Sequence, residues 1–486
     1  MNTNGNLLQE NTMRQSMVMG LIAVVMIAAT GMSQSPANYA DAPAAHWHDI
    51  DSDVLRAFKN PMEGLEMGLD LRLREVYAQN MVTVSDDEGD RHYQRVRPRW
   101  STKWTLDEDI TFNTRLTWEF WNYCKPEGLR STDFNEAIFD IMNIQFRNAF
   151  DLPLTLTVGR QDIILGTGWL VLDGTPADGS RTTFFDAVRG TYQLTDTAKL
   201  DMIFIQQYDD ESKWLKPFNH GAVRDSRHLT QNQDEKAVIL YLTNNVSENF
   251  GFDAYYMFKK DKESGLARHY GRTGDDQETN VIGGRVFGNL DDHWSYSVEG
   301  AYQFGRFRPN GGEFVDQRAF GTNNKLQYSF HDEWRNEIHI GYEYLSGDDT
   351  GTGKNERFNT MWGDWPQTQR GGDLQSYIWS AEGNTGEVSN LHRLGVGHSF
   401  KPHQNWTMAT DYNLLWADEN SERGTTEGYS NSGNFRGHML TGLLTYQCCK
   451  NFRTQFLLDY FIPGGYYETP RGDQAYFARV NMEWTF

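Results

Sequence analysis

From residue 65 onward, large apolar side chains recur at every second position. In LEMGLDLRLRE, Leu65, Met67, Leu69, Leu71 and Leu73 oppose Asp70, Arg72 and Arg74. In QRVRPRWSTKW, Val96, Pro98, Trp100 and Trp104 oppose Arg95, Arg97, Arg99 and Lys103. HWSYSVEGAYQF and NWTMATDYNLLWA repeat the pattern, and AYFARVNMEWTF sets Tyr476, Val480, Met482, Trp484 and Phe486 against Arg479, Asn481, Glu483 and Thr485. Successive side chains of a strand point to opposite faces. Each segment therefore has one apolar and one polar face, the signature of half-exposed strands rather than helices.

The pattern predicts eighteen strands, near 65–77, 93–106, 110–121, 138–147, 153–161, 184–194, 198–208, 236–245, 250–260, 278–288, 293–304, 317–330, 335–346, 390–400, 405–417, 434–446, 451–461 and 475–486. Most reach the length of about ten residues that a tilted strand needs to cross a bilayer. LQSYIWSAEG (Leu374–Gly383) competes for the fourteenth place or forms a hairpin within its loop.

Connections alternate in length. Tight turns at Asp107–Asp109, Thr195–Thr197, Asn289–Asp292 and Lys401–Gln404 interleave with long polar loops at Asp162–Thr183, Asp209–Glu235, Asp261–Gln277 and Gly347–Ser389. An even strand number with short turns on one rim and long loops on the other describes an all-β fold. It is a transmembrane antiparallel β-barrel with short periplasmic turns and long extracellular loops. A soluble sandwich has no reason to alternate loop lengths, and no repeat of about 40 residues marks a propeller. Residues of the Trp484 parity then face lipid. The terminal Phe486 resembles the signal by which barrel assembly machinery recognises outer-membrane barrels.

Composition narrows this reading. Hydrophobic residues make up 38% of the chain and mean hydropathy is −0.67. Those values exclude a bundle of membrane helices but not a barrel, whose strands are half polar. Aromatics reach 14% and supply interfacial girdles. A net charge of −21 argues against unspecific nucleic-acid binding. The apolar run Met17–Met32 follows Arg14 and precedes small residues, so residues 1–37 read as a secretory signal peptide cleaved near Ala37, with a membrane anchor as the alternative. Residues 38–64 would form a periplasmic lead-in and residues 65–486 the barrel. AHWHD, with His46, His48 and Asp49, falls in that lead-in. Cys124, Cys448 and Cys449 make no disulfide framework, although Cys124 could bridge to either of the others in an oxidising compartment.

If apolar residues face lipid, the opposite parity lines the lumen. Basic residues there are Arg72, Arg74, Arg95, Arg97, Arg99, Lys103, Arg115, Arg189, Lys259, Arg285, Arg393, Arg453 and Arg479. Acidic ones are Asp70, Glu119, Asp253, Glu299, Glu337, Glu343, Asp411, Asp459 and Glu483. Basic residues outnumber acids inside, while loops such as SDDEGDR and SGDDTGTGK hold the acid excess. Arg95, Arg97 and Arg99 form a ladder with steps of roughly 6.5–7 Å, and fixed guanidinium forks suit carboxylates. Two readings stand side by side: an anion path, or charges that pair and hold the barrel open. Asp348 and Asp349, beside glycine, offer oxygen ligands for Ca²⁺, against solvated surface charge. An acidic exterior also favours divalent-bridged contact with lipopolysaccharide.

The segment LTLTVGRQDIILGTGWLVLDGTPADGSRTTFFDAVRG carries GRQ at Gly159, Arg160 and Gln161, then Arg181, Phe185, Asp186, Ala187, Val188 and Arg189 in an R…FDAVR pattern. With YEYLSGDDTGTGK, LHRLGVGHSFKP and DYNLLWADE, this ordered set resembles the alginate-export family of outer-membrane porins over most of the chain after about residue 60. The resemblance implies a monomeric 18-stranded barrel whose electropositive constriction exports an anionic polysaccharide. It makes Arg160, Arg181 and Arg189 constriction or gate residues, with Asp186 as a pairing partner. Strict alternation from Leu154, Leu156 and Val158 points Arg160 at lipid. Either Gly159 makes a bulge that re-aims it, or Arg160 lies at the rim. The tight short-side turns leave no counterpart for the long periplasmic lid loop of alginate exporters.

The expected function is passive passage of anionic saccharides or other anionic solutes, selected by charge and pore width. An adhesive or structural barrel with a plugged lumen and Ca²⁺-binding acidic loops is the alternative. An outer-membrane hydrolase would need a Ser–His pair, and no serine of matching parity lies beside the inward His339.

Overall fold

The computed structural model describes residues 53–82, 84–126, 134, 136–172, 184–208, 218–219, 233–263, 275–309, 311–363, 374–375, 378, 389–420 and 427–486. The segments assigned to the leader, Arg181 and AHWHD lie outside them.

A short helix, α1 (Asp53–Lys59), precedes the first strand. The strands are β1 (Leu65–Gln79), β2 (Asp90–Thr105), β3 (Ile110–Thr117, continued by Phe120–Lys125), β4 (Glu136–Phe146), β5 (Leu154–Gln161), β6 (Phe185–Gln193), β7 (Ala198–Gln207), β8 (Glu235–Asn244) and β9 (Gly251–Asp261). They continue as β10 (Asp276–Asn289), β11 (Trp294–Arg308), β12 (Val315–Ser329), β13 (Glu337–Leu345), β14 (Leu391–His403), β15 (Trp406–Trp416), β16 (Phe435–Cys449), β17 (Phe452–Pro463) and β18 (Ala475–Thr485). Each pairs antiparallel with its sequence neighbour, and β18 pairs β1 from Asp70↔Thr485 to Gln79↔Tyr476, so the sheet closes into an 18-stranded barrel. Phe486 completes the seam by exchanging backbone hydrogen bonds with Leu69 of 2.7 and 3.1 Å.

The fourteenth strand is the LHRLGVGHSF segment, whereas Leu374, Gln375 and Ile378 are buried outside any strand. The third strand breaks at Trp118 and Glu119 and resumes to Lys125, further than its alternation suggested. A residue also bulges from β4 opposite Arg115 and Leu116, leaving Asp140 buried.

Alternation holds around the ring. Ala237, Ile239 and Tyr241 of β8 are buried inward while Val238 and Leu240 are exposed outward, and β9 repeats this with Tyr255 and Met257 against Tyr256. Exposed Ile282, Val298, Phe320, Ile338, Ile340, Val396 and Leu458 continue the outer apolar belt. Such a continuous belt is the lipid-facing surface of a membrane barrel. Aromatic pairs such as Trp406–Tyr446, Phe452–Trp484 and Trp294–Tyr328 sit where the belt meets the short turns.

The short turns are set by side-chain acceptors. The Asp291 carboxylate takes backbone N–H bonds from His293 and Trp294 (2.8 and 2.7 Å), and Asp332 takes one from Asn336 (2.8 Å). Bonds to the charged form hold both carboxyls below the usual carboxylate range.

Cys124, Cys448 and Cys449 form no disulfide, so the bridge that the sequence left open from Cys124 is not made. Cys124 ends the rising third strand at the long-loop rim, and Cys448 and Cys449 end the descending β16 at the short-turn rim.

Candidate functional site

Two described loop segments fold into the long-loop half of the barrel. One follows β5 (residues 163–172) and the other follows β13 (residues 346–363). They meet at a bridge between Val171 and Trp362 and at a Trp169–Phe358 stack with ring centroids 5.6 Å apart. Trp169, Leu170, Val171, Phe358, Met361 and Trp362 are buried in one core with inward residues of β1, β2 and β6–β13.

Polar groups tie these loops to the wall. Trp169 Nε1 donates to Glu343 of β13 (3.0 Å), and Trp362 Nε1 donates to Glu235 of β8 (2.8 Å). Gln303 of β11 exchanges bonds of 2.6 and 2.8 Å with the Asn359 backbone, and the Asn359 amide donates to Gln277 of β10 (2.9 Å). The fully buried Lys259 Nζ lies 3.1 Å from Asp261 and 3.3 Å from the Met361 carbonyl, and 4.9 Å from the Trp362 ring centroid. A buried polar group is costly unless hydrogen-bonded, so these contacts let loops replace water inside the barrel.

The short-turn half holds a cavity of about 800 Å³, lined by Glu66, Arg99, Lys103, Arg115, Asp162 and Arg189 among others. Arg99 Nε donates to both oxygens of Asp70 (2.8 Å to each), and Lys103 pairs with Glu66 (2.8 Å). Arg115 pairs with Asp140 and Asp162 (2.9 and 3.0 Å), and Arg189 with Asp201 (2.8 Å).

Above Arg99 the basic wall is packed. Arg72 and Arg95 both reach Glu119, at 3.1 and 2.5 Å, and Arg95 lies 4.4 Å from the Trp121 ring centroid. Arg74 donates to Asn481 (3.2 Å). Register sets Arg97 directly beside Arg72, and its Nε and Nη1 make no hydrogen bond among the described residues. The ladder thus has the expected parity but not the expected access. Arg99 lines the cavity, whereas Arg95 and Arg97 are 1% and 4% exposed. Elsewhere Arg285 pairs with Asp253 (2.7 Å), Arg393 with Glu343 (2.5 Å) and Arg453 with Glu483, while Arg479 is buried. Most of these pairings join adjacent strands, with Asp70, Asp253, Glu343 and Glu483 from the acidic set as partners.

Arg160 and Asp186 require a correction. Register runs unbroken through Asn143↔Gly159, Met142↔Arg160 and Arg160↔Asp186, so no bulge re-aims Arg160. It keeps the outward parity of Val158, one residue from the long-loop end of β5. Its guanidinium takes both Asp186 oxygens (2.8 and 2.9 Å), donates to the Phe139 carbonyl (3.1 Å) and lies 3.5 Å from the Phe184 ring centroid. The pair clamps the outer rim and does not line the cavity, while Arg189 and Gln161 do.

Asp348 and Asp349 accept backbone N–H bonds from Glu356 and Gly351, each 2.8 Å. Among the described residues no group of three or more His, Cys, Asp or Glu could hold a metal ion. His339 pairs inward with Asp411 (3.0 Å). The sequence reading missed Asp140, Asp201, Glu235 and Asp261. Inward parity marks the last three, and the bulge hides the first.

The family model for alginate export matches residues 64–467, nearly the whole barrel. The chain belongs to the alginate export family. A search among curated proteins finds no match. Among solved structures, Pseudomonas aeruginosa OpdQ superposes with a TM-score of 0.52 at 12% identity, over 87% of this chain and 98% of that one. The P. aeruginosa outer membrane protein OprD gives 0.49 at 9% identity, over 86% and 94%. At such identity OpdQ speaks for the fold alone. Family and barrel together make this alginate export family member an outer-membrane channel.

Proposed function

We propose that the channel passes anionic solutes, carboxylate-bearing saccharides foremost, through the cavity beneath the basic wall. The observation that carries the reading is the run of Arg72, Arg74, Arg95 and Arg97 on adjacent strands, with Glu119 reached by Arg72 and Arg95, directly above the cavity wall that holds Arg99. Positive charge behind a lining raises local anion concentration in a low-dielectric channel. Arginine forks match carboxylates geometrically. Transport here needs no covalent step and no cofactor. The inward loops narrow the passage, so conduction depends on their displacement.

The docked loops also favour a second reading, a barrel held closed whose acidic outer loops bind Ca²⁺ or a partner. One measurement separates the two: the reversal potential of the refolded protein in a planar bilayer under a KCl gradient. An anion-selective current blocked by oligouronates supports the channel reading. A cation-selective current removes the role of the basic wall. No current under any applied voltage favours the closed barrel.

A further inference from the structure

A second basic group lies on the outer wall. Register places Lys236 (β8) beside Lys260 (β9), Lys260 beside Glu278 (β10), Glu278 beside Arg306 (β11) and Arg306 beside Asp316 (β12). Five adjacent strands thus carry one row at one height. Arg318 stands one step toward the short turns, level with Phe304. All have the outward parity of Val238, Tyr256, Ile282, Phe304 and Phe320, the exposed apolar belt that begins directly beneath the row. The row sits at the long-loop end of these strands, where an outer leaflet would present its headgroups.

The charges are unbalanced there. Within the row Lys236, Lys260, Arg306 and Arg318 outnumber Glu278 and Asp316, in a chain whose net charge is −21. Asp316 lies 3.6 Å from Arg318, while Asp276 one step above pairs with Arg308 (2.9 Å). Glu278 holds Lys260 and Arg306 on its two oxygens, 2.7 and 2.5 Å away, and so fixes two cations side by side. Arg306 is additionally set by the Phe314 ring, 5.1 Å from its guanidinium carbon. Lys236 has no polar partner among the described residues. It lies directly across from Lys260, and opposed like charges on one sheet face are destabilising. A shared anion removes that repulsion.

We propose that this row binds the phosphate groups of a phosphorylated glycolipid in the outer leaflet, with its acyl chains along the apolar belt below. The ligand class follows from the juxtaposition: fixed cations at the height of a headgroup, continuous with a surface for hydrocarbon. Direct phosphate contact by the row is distinct from divalent bridging through acidic loops.

The test reconstitutes the full chain in phosphatidylcholine nanodiscs doped with bis-phosphorylated lipid A or with the same lipid dephosphorylated, in EDTA, and counts retained glycolipid by native mass spectrometry. A basic residue near an anionic surface contributes about 1 kcal/mol, or about fivefold. The parent is therefore expected to retain the phosphorylated lipid at least ~10-fold over its dephosphorylated form. A K236Q/K260Q/R306Q variant should lose that preference. The single variant Lys236→Gln breaks no ion pair and should lower retention about fivefold even where the triple variant fails to fold. Equal retention of both lipids, undiminished retention by Lys236→Gln, or retention abolished by EDTA overturns the proposal.

Discussion

The indole nitrogen of Trp362 donates to the Glu235 carboxylate at 2.8 Å, joining the loop after β13 to a strand 127 residues earlier in the chain. A hydrogen bond to a charged acceptor contributes about 1.5–3 kcal/mol. Trp362→Phe removes the donor while keeping most of the ring, so the open fraction in single-channel recordings should rise at least ~10-fold, since about 1.4 kcal/mol is one decade. Unchanged open probability would mean that this contact does not hold the loop in place.

Arg99 is the rung of the basic wall that reaches the cavity. Arg99→Gln leaves Asp70 unneutralised beside the passage, so the local charge moves by one unit toward cations. The reversal potential under a salt gradient should shift toward the cation limit, with heat-modifiable gel mobility unchanged. Arg160→Gln, on the outer rim, should leave the reversal potential where it was and instead lower the unfolding midpoint in urea.

Gly159 has φ near +119°, and a Cβ there would lie 2.4 Å from the Met142 carbonyl oxygen. Gly159→Ala should therefore destabilise the barrel by about 1–3 kcal/mol, the usual cost of such a backbone state for an L residue. Urea unfolding in detergent reads this directly.

The turn carboxylates give the pH dependence. Backbone N–H bonds depress Asp291 and Asp332 below their ordinary value near 3.8. A depressed folded pKa contributes stability that is present above the unfolded value and is lost as pH falls through the folded one. The parent should stay folded in mild acid and lose stability below about pH 4. A D291N/D332N variant should show a flatter dependence across that window, measured as the folded fraction by gel mobility.

How far these features could be read in advance varies by level. Strand number, order and face followed from alternation, because a half-buried strand cannot hide its period. Arg285, Arg393 and Arg160 sit on the face their parity assigned. The docked loops were not readable. Trp169 and Trp362 meet Glu343 and Glu235 through irregular backbone, and no periodicity links residues so far apart. The ladder illustrates the remaining gap. Parity turned Arg95 and Arg97 inward, but only the packing of Trp121 and Glu119 decides that they are covered. Asp140 escaped because one bulged residue shifts the phase.

The β1–β18 seam has a consequence for how the chain acquires this shape. A ring of strands has no free edge once closed, yet its last hydrogen bonds join Leu69 to Phe486. The other seventeen strand pairings of the barrel join neighbours in sequence, while this one must bring together nearly the full contour of the chain. Contacts of such separation slow folding, because loop-closure entropy is spent before they form. Until that contact forms, β1 and β18 are both unpaired edges, open to misassembly. The nascent sheet is therefore most exposed in the interval before its two ends meet.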